Sequence, residues 1–142
     1  MAWALYLLAR HPEARAKVEA ELDSLGLLVT PQRPRPRVME YGDMAWLRYL
    51  GFVMKEAQRL VPVVGNGTVR CSPRPIRLGG YDVPANVQLV LLIKGLHTSA
   101  RNWERPQEFD PERWRQPGAE YWCERAAGGR GIADSVLACD AR

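Results

Sequence analysis

The sequence predicts an α+β fold, mainly helical, in which helices precede a small antiparallel sheet and a stretch of irregular chain. Apolar residues recur at intervals of three and four from Ala45 to Leu60, which is typical of an amphipathic helix. Residues 75–93 instead alternate β-forming side chains with Gly-Gly and Pro-Ala-Asn turns, which predicts two or three short antiparallel strands. With 142 residues, of which 46% are hydrophobic and 25% charged, the chain is long enough to bury one core.

Two helices are predicted at the start of the chain. Residues 2–10 form the first, and His11-Pro12-Glu13 begins the second, because proline at the first helical position gives up an N–H that has no helical partner. Gly26 is expected to end the second helix. Residues 29–41, rich in Pro and Arg, are then predicted to form an exposed loop whose basic run RPRPR is solvated.

Cap and turn signals bound the remaining elements. Asp43 is predicted to cap the helix that contains Glu56, and Pro62 is expected to end that helix. Residues 94–118 predict a short helix followed by irregular chain, in which Asp110-Pro111 starts a brief helical turn.

Composition and charge exclude several classes of protein. No apolar run approaches the roughly 18 residues of a transmembrane helix, and the first residues lack the basic region of a signal peptide. The net charge of +4 is scattered apart from RPRPR, so no nucleic-acid partner is expected. Cys71, Cys123 and Cys139 are too few and too widely spaced for a zinc cluster, and a reducing compartment is the default expectation.

Glu56 and Arg59 form a charged pair at the edge of the apolar helix face, where Glu56 is expected to be partly buried. Residues three apart are neighbours on a helix, so the guanidinium of Arg59 can bind the carboxylate through two parallel hydrogen bonds. About one Glu-x-x-Arg spacing arises by chance in a chain with 10 Glu and 17 Arg, and two occur. The spacing alone therefore favours an ordinary surface ion pair.

Three segments in order change that interpretation. They read ARHPEARAKVEAEL, then LRYLGFVMKEAQRLVPVVGNGTVR, then GGYDVPANVQLVLLIKGLHTSARNWERPQEFDPERW. Together, over roughly residues 2–115, they resemble the C-terminal half of a cytochrome P450, a haem-thiolate monooxygenase. The resemblance implies a partial cytochrome P450 fold with helices, a small antiparallel sheet and an irregular meander over residues 1–118. Residues 119–142 match nothing in the family and are expected to be a disordered tail.

The resemblance also implies roles for particular residues. Glu56 and Arg59 match the family's Glu-x-x-Arg, and Arg113 in DPERW matches the arginine that completes a buried structural triad with them. The alternative for Arg113 is a solvent-facing residue beside Glu112. Arg70 matches an arginine that lies near a haem propionate in many members, where a planar cation suits a carboxylate. His97 matches a common histidine of the region, although a lone histidine beside leucine is more often packed than a ligand.

The chain departs from the family at its catalytic centre. Members bind haem iron through a cysteine in a Phe-x-x-Gly-x-Arg-x-Cys loop, whose thiolate favours O–O cleavage. The nearest counterpart here is GGRGIA, where Gly128 and Arg130 keep the Gly-x-Arg spacing but Ile132 replaces the cysteine. Cys123 and Cys139 lack the surrounding pattern and are expected to be free thiols. No catalytic residue and no metal ligand is therefore assigned.

The expected function has two parts. By family, the chain is part of a monooxygenase that uses haem, O₂, electrons from an NADPH-dependent reductase or a ferredoxin, and a small organic or lipophilic substrate. The family's oxygen-activating acid and threonine precede the matched segment, and a truncated or misread gene end is suspected. This chain alone is expected neither to bind haem nor to catalyse a reaction.

The alternative is a non-catalytic structural or interaction module that has lost its haem site. Family members are typically membrane-associated, and the location of this chain is left open.

Overall fold

The computed structural model describes residues 2–115, which form two compact units. Within that range, the first unit comprises residues 2–59 and 109–115, and the second comprises residues 60–108. The first unit contains three α-helices and two short 3₁₀ helices, and the second contains four strands and one α-helix. The predicted α+β fold, mainly helical and with small antiparallel sheets, is confirmed.

Helices α1 and α2 begin the first unit and agree with the sequence prediction. Helix α1 spans Ala2–Arg10, and α2 spans Pro12–Ser24 with the proline in its first turn. Gly26 follows with a φ of +71°, a left-handed conformation that glycine adopts without strain and that commonly ends helices. Small and branched side chains, Ala4, Ala14 and Val18, are the buried residues of this helix pair.

The Pro- and Arg-rich loop is mostly exposed, but two of its arginines have acidic partners. Nη1 of Arg33 lies 2.9 Å from Oδ1 of Asp23, which is close to the end of α2. Arg37 donates from Nη2 and Nη1 to the two oxygens of Asp43, at 2.6 and 2.8 Å, and from Nε to a backbone carbonyl of residue 25. These contacts tie part of the basic run to neighbouring segments of the chain, while both arginine side chains stay exposed to solvent.

The structure differs from the prediction at the start of the helix that carries Glu56. Asp43 belongs to a 3₁₀ helix, Tyr41–Ala45, where its side chain accepts the backbone N–H of Glu40 at 2.7 Å. Helix α3 begins later and spans Arg48–Leu60. The carboxylate of Glu21, on α2, accepts the N–H groups of residues 49 and 50 at 2.8 and 2.9 Å. The cap therefore comes from a residue far away in sequence, which no local pattern reveals.

The second unit contains four strands in two antiparallel pairs. Three of the strands lie within residues 75–93, where two or three were predicted, and the first strand precedes that segment. Strands β1 (Thr68–Cys71) and β4 (Gln88–Leu91) form one pair, and β2 (Ile76–Leu78) and β3 (Tyr81–Val83) form the other. Gly67 lies just before β1 with a φ of +89°, and an added Cβ would lie 1.6 Å from the carbonyl oxygen of Leu91. Glycine is required there because the backbone of the partner strand fills the space of a side chain.

The chain after β4 is short-helical and then irregular. Helix α4 spans Ile93–Thr98, and the second 3₁₀ helix spans Pro111–Arg115, where Asp110 and Pro111 were predicted to start a turn. The Asp110 carboxylate accepts the N–H of Glu112 at 3.1 Å and caps this turn. The boundary at residue 118 and the tail 119–142 lie outside the described residues.

None of the helices within residues 2–115 combines the length and the apolar composition that spanning a membrane requires.

Candidate functional site

Glu56 and Arg59 lie on the buried face of α3 and are shielded from solvent. Their relative exposures are 0% and 1%, so Glu56 is more deeply buried than its position at the edge of the apolar face suggested. Val53 and Ala57 flank them on the same helix and are also buried. A charged pair at this depth loses its hydration, so it is tolerated only where hydrogen bonds replace the lost water.

The structure brings Glu56, Arg59 and Arg113 together. Arg59 donates Nε–H to Oε2 and Nη2–H to Oε1 of Glu56, both at 2.9 Å, in the parallel fork that suits a carboxylate. Arg113 lies on the second 3₁₀ helix and donates Nε–H to Oε1 at 3.0 Å. Only 10% of the Arg113 side chain is exposed. One carboxylate thus binds two guanidiniums that are 54 residues apart in sequence.

Sequence reasoning missed two further donors to the same carboxylate. The backbone N–H of Asp110 donates to Oε1 at 3.1 Å, and the indole Nε1–H of Trp114 donates to Oε2 at 2.9 Å. The available signal for Trp114 was its position directly after Arg113, since a partly buried indole usually needs an acceptor. A backbone donor leaves no signal in the sequence. These five groups, Glu56, Arg59, Asp110, Arg113 and Trp114, are called the Glu56 cluster below.

The Glu56 cluster favours an ionised carboxylate. Burial raises the pKa of Glu56, but hydrogen bonds from Arg59, Asp110 and Trp114 outweigh that effect, so the net pKa lies below the ordinary value. Since donors occupy both carboxylate oxygens, the group cannot readily take a proton from a substrate. The chemistry available to the cluster is therefore to hold chain segments in place, with no role as acid, base or nucleophile.

Two exposed ion pairs share Glu112 on the same 3₁₀ helix, and one of them joins that helix to α2. Lys17 Nζ lies 2.6 Å from Oε1 of Glu112, and Arg115 Nε lies 2.7 Å from Oε2 of the same carboxylate. The hydrogen bond from Lys17 is the main cause that lowers the pKa of Glu112, against a smaller opposing effect of burial. Because these side chains remain solvated, the contacts contribute less than the buried cluster does.

Arg70 and His97, the residues expected to face a haem, lie in the second unit. Arg70 is on β1, is exposed, and donates Nη1–H to the backbone carbonyl of Val69 at 3.3 Å. His97 lies in the last turn of α4 and is half-buried. Both assignments stay predictions.

The described residues fit a haem only in part. Arg70 is a cation that could pair with a propionate, as the resemblance implies. The cysteine available among residues 2–115 is Cys71, which is exposed on β1 and lacks the Phe-Gly-Arg pattern of a thiolate loop. Over the same residues, no three His, Cys, Asp or Glu side chains are grouped to bind a metal. Cys123, Gly128, Arg130, Ile132 and Cys139 lie outside the described residues. Residues 2–115 therefore do not complete a haem-thiolate site by themselves, and no reaction step is assigned to that group.

A family model described as "Cytochrome P450" matches residues 1–122. Dog steroid 21-hydroxylase is 36% identical over 120 residues, which is 84% of this chain and 23% of that protein. Cytochrome P450 81F1 of Arabidopsis thaliana is 31% identical over 121 residues, again 84% of this chain and 23% of the relative. The chain thus spans about a quarter of the length of these curated relatives.

Solved structures give the same similarity in three dimensions. A zebrafish cytochrome P450 structure with abiraterone superposes with a TM-score of 0.70 at 27% identity. The superposition covers 82% of this chain and 27% of the zebrafish chain.

Proposed function

The chain belongs to the cytochrome P450 family, and from that premise we propose that it is the scaffold segment of a haem-dependent monooxygenase. In such an enzyme one atom of O₂ is inserted into a small organic or lipophilic substrate, with electrons from a reductase or ferredoxin. The role of residues 2–115 is to hold the chain before the thiolate loop in a fixed conformation. When bound, the haem would supply the oxygen chemistry, and this segment would supply none of the reacting side chains.

The Glu56 cluster is the observation that supports this proposal. It joins α3 to the second 3₁₀ helix through a carboxylate with 0% exposure and two guanidiniums. Breaking a buried ionic network by removing one partner typically costs about 3–5 kcal/mol, because the remaining charges stay desolvated. A contact this costly to break fixes the conformation of the 3₁₀ helix, which is the requirement for a scaffold.

We also propose that the 142-residue chain by itself has no monooxygenase activity. Its three cysteines all lack the Phe-x-x-Gly-x-Arg-x-Cys surroundings that the family uses, and Ile132 stands at the cysteine's place in the nearest counterpart. Expression with haem supplied, followed by the absorption spectrum of the reduced, CO-bound form, tests this. A thiolate-type Soret band would show this part of the proposal to be wrong.

A chimera tests the scaffold role directly. Residues 2–115 replace the matching segment of a relative of known structure, which supplies the thiolate loop and the rest of the haem domain. We expect the chimera to give a thiolate-type reduced CO spectrum and to oxidise the relative's substrate.

In the chimera, Glu56→Gln should abolish both the spectrum and the activity, because a neutral amide cannot balance two buried guanidiniums. Glu19→Gln, which removes one side of an exposed ion pair with Arg15, should leave both intact. Equal spectra for the two variants would refute the role of the cluster.

One observation favours a second candidate, a non-catalytic interaction module. Helix α1 exposes three large side chains, Trp3, Leu5 and Tyr6, at 55%, 69% and 52%. A helix that is apolar on several sides usually has a partner on each of them. This candidate requires that the chain alone melts in a sharp, cooperative thermal transition, whereas a broad transition without a baseline would exclude it.

A further inference from the structure

We propose that Trp114 is a positioning residue of the Glu56 cluster, and that its indole N–H fixes the orientation and charge of the carboxylate. This inference deepens the scaffold role proposed above and rests on it. The family resemblance assigned roles to Glu56, Arg59 and Arg113, and gave none to the tryptophan that follows.

The geometry distinguishes the two carboxylate oxygens. Arg113, on the second 3₁₀ helix, donates to Oε1. The backbone N–H of Asp110, just before that helix, donates to the same oxygen. Trp114 binds Oε2 from the same helix, at 2.9 Å. The second 3₁₀ helix therefore holds both ends of the carboxylate, so that rotation of Glu56 about its last side-chain bond would break a contact in either direction. Arg59 also binds both oxygens, but from α3, so without Trp114 the second 3₁₀ helix would hold Oε1 alone and would restrict that rotation less.

The chemistry of indole suits this task. Tryptophan has a single Nε1–H donor and no acceptor, so it favours the ionised carboxylate over the protonated one. Its donor does not titrate in the accessible pH range, unlike a histidine at the same place. Lys55 Nζ lies 5.7 Å from the centroid of the Trp114 ring, a cation–π distance that helps to fix the plane of the ring.

The charged groups around Glu56 come from three elements. Helix α3 contributes Arg59 and Lys55. The second 3₁₀ helix contributes Arg113 and Glu112, and Asp110 lies just before it. Helix α2 contributes Lys17, which binds Glu112. A pH-dependent contribution of Trp114 should therefore follow the ionisation of Glu56.

A matched pair of substitutions tests the proposal on the full chain. Trp114→Phe keeps an aromatic ring over which Lys55 can lie, and removes the donor to a charged acceptor. Trp103→Phe makes the same chemical change at a buried tryptophan whose Nε1–H donates to a neutral carbonyl, that of Leu96, at 3.1 Å. A bond to a charged group contributes more than a neutral one. At pH 7 we expect Trp114→Phe to raise the unfolding equilibrium constant by roughly 10- to 100-fold.

The pH dependence separates the two variants. The effect of Trp114→Phe should shrink as the pH falls through the lowered pKa of Glu56 and the carboxylate takes up a proton, and that of Trp103→Phe should not change with pH. Adding Glu56→Gln should remove most of the pH-dependent effect of Trp114→Phe. Parallel pH profiles for the two phenylalanine variants would overturn the proposal.

The wild-type chain provides a second measurement that does not depend on a variant folding. With ¹⁵N-labelled tryptophan, the Trp114 indole is identified in the wild-type spectrum by nuclear Overhauser contacts of its Nε1–H with the side chain of Glu56. Its proton should resonate downfield of a solvent-exposed indole at pH 7 and shift as Glu56 titrates. An indole signal at the position of free tryptophan at every pH would overturn the proposal. The chimera spectrum tests the scaffold role separately, since it compares variants of Glu56 and leaves Trp114 in place.

Discussion

Arg113→Met is the substitution that best tests whether the buried cluster stabilises this chain. The change removes the guanidinium that donates Nε–H to Oε1 of Glu56 at 3.0 Å, and keeps most of the apolar part of the side chain. Arg15→Met is the matched control, because Arg15 also donates Nε–H to a Glu Oε1, at 2.7 Å to Glu19. The two ion pairs use the same atoms at similar distances and differ in burial.

Burial sets the expected magnitudes. The side chains of Arg113 and Glu56 are 10% and 0% exposed, whereas those of Arg15 and Glu19 are 63% and 42% exposed. Loss of one partner from a buried network costs about 3–5 kcal/mol, and the Arg59 fork that remains on Glu56 favours the lower end of that range. An exposed pair four residues apart on a helix contributes about 0.3–0.5 kcal/mol.

Urea unfolding followed by far-ultraviolet circular dichroism at pH 7 measures both variants. We expect Arg113→Met to lower the free energy of unfolding by about 3 kcal/mol, and Arg15→Met to lower it by less than about 0.5 kcal/mol. The slope of the unfolding free energy against urea should stay the same in both, which confirms that the unfolded states are comparable. If the two variants lose equal stability, the reasoning from burial is wrong.

Three further predictions concern the acid sensitivity of Glu56, the cap of α3 and the glycine before β1. Because the pKa of folded Glu56 lies below its ordinary value of 4.5, the stability it confers is present above about pH 4.5 and is lost as the pH falls through the lower folded value. Melting temperatures from pH 7 to 3 should show this loss in the wild type and much less of it in Glu56→Gln. Glu21→Gln should cost about 1 kcal/mol in urea unfolding, because an amide has one acceptor oxygen where the carboxylate binds two N–H groups of α3. Gly67→Ala should cost more than about 1 kcal/mol through collision with the Leu91 carbonyl, whereas Gly51→Ala, whose added Cβ has nothing within 4 Å, should be neutral or stabilising by up to about 1 kcal/mol.

Each of these predictions has a contrary outcome. A melting temperature that falls equally with acid in the wild type and in Glu56→Gln would place the acid-sensitive group elsewhere. No loss of stability in Glu21→Gln would mean that water or another group can satisfy the first N–H groups of α3. Equal effects of alanine at the two glycines would contradict the close approach of β4 to Gly67.

The helices α1 and α2 could be predicted from sequence because their signals are local. Proline at the first position and glycine after the last turn act through backbone conformation, which does not depend on distant residues. The start of α3 could not be predicted, since its cap is Glu21, 28 residues before Tyr49. Asp43 fits the local sequence rule for a helix cap, but its carboxylate accepts hydrogen bonds from Arg37 and from the N–H of Glu40, and none from α3 is among its described contacts.

The candidate site was predictable only with knowledge of the family. The spacing of Glu56 and Arg59 is no more frequent than chance, and nothing local shows that Glu56 is completely buried. The resemblance added Arg113 to the pair. It gave no role to Trp114 or to the Asp110 N–H, because a hydrogen bond across 54 or 58 residues depends on how the chain returns to α3.

The hydrogen bonds of Glu56 also close a long loop. They join residue 56 to residues 110–114 and so restrain the ends of the more than fifty residues between them. The entropy cost of closing such a loop grows only slowly, by about 0.6 kcal/mol for each doubling of its length. Insertions between Leu60 and Glu108 should therefore weaken the closure little. Cleavage of one peptide bond in the same range would instead remove the covalent link, and with it the high effective concentration of the 3₁₀ helix near α3. The 3₁₀ helix would then bind α3 only as a separate peptide.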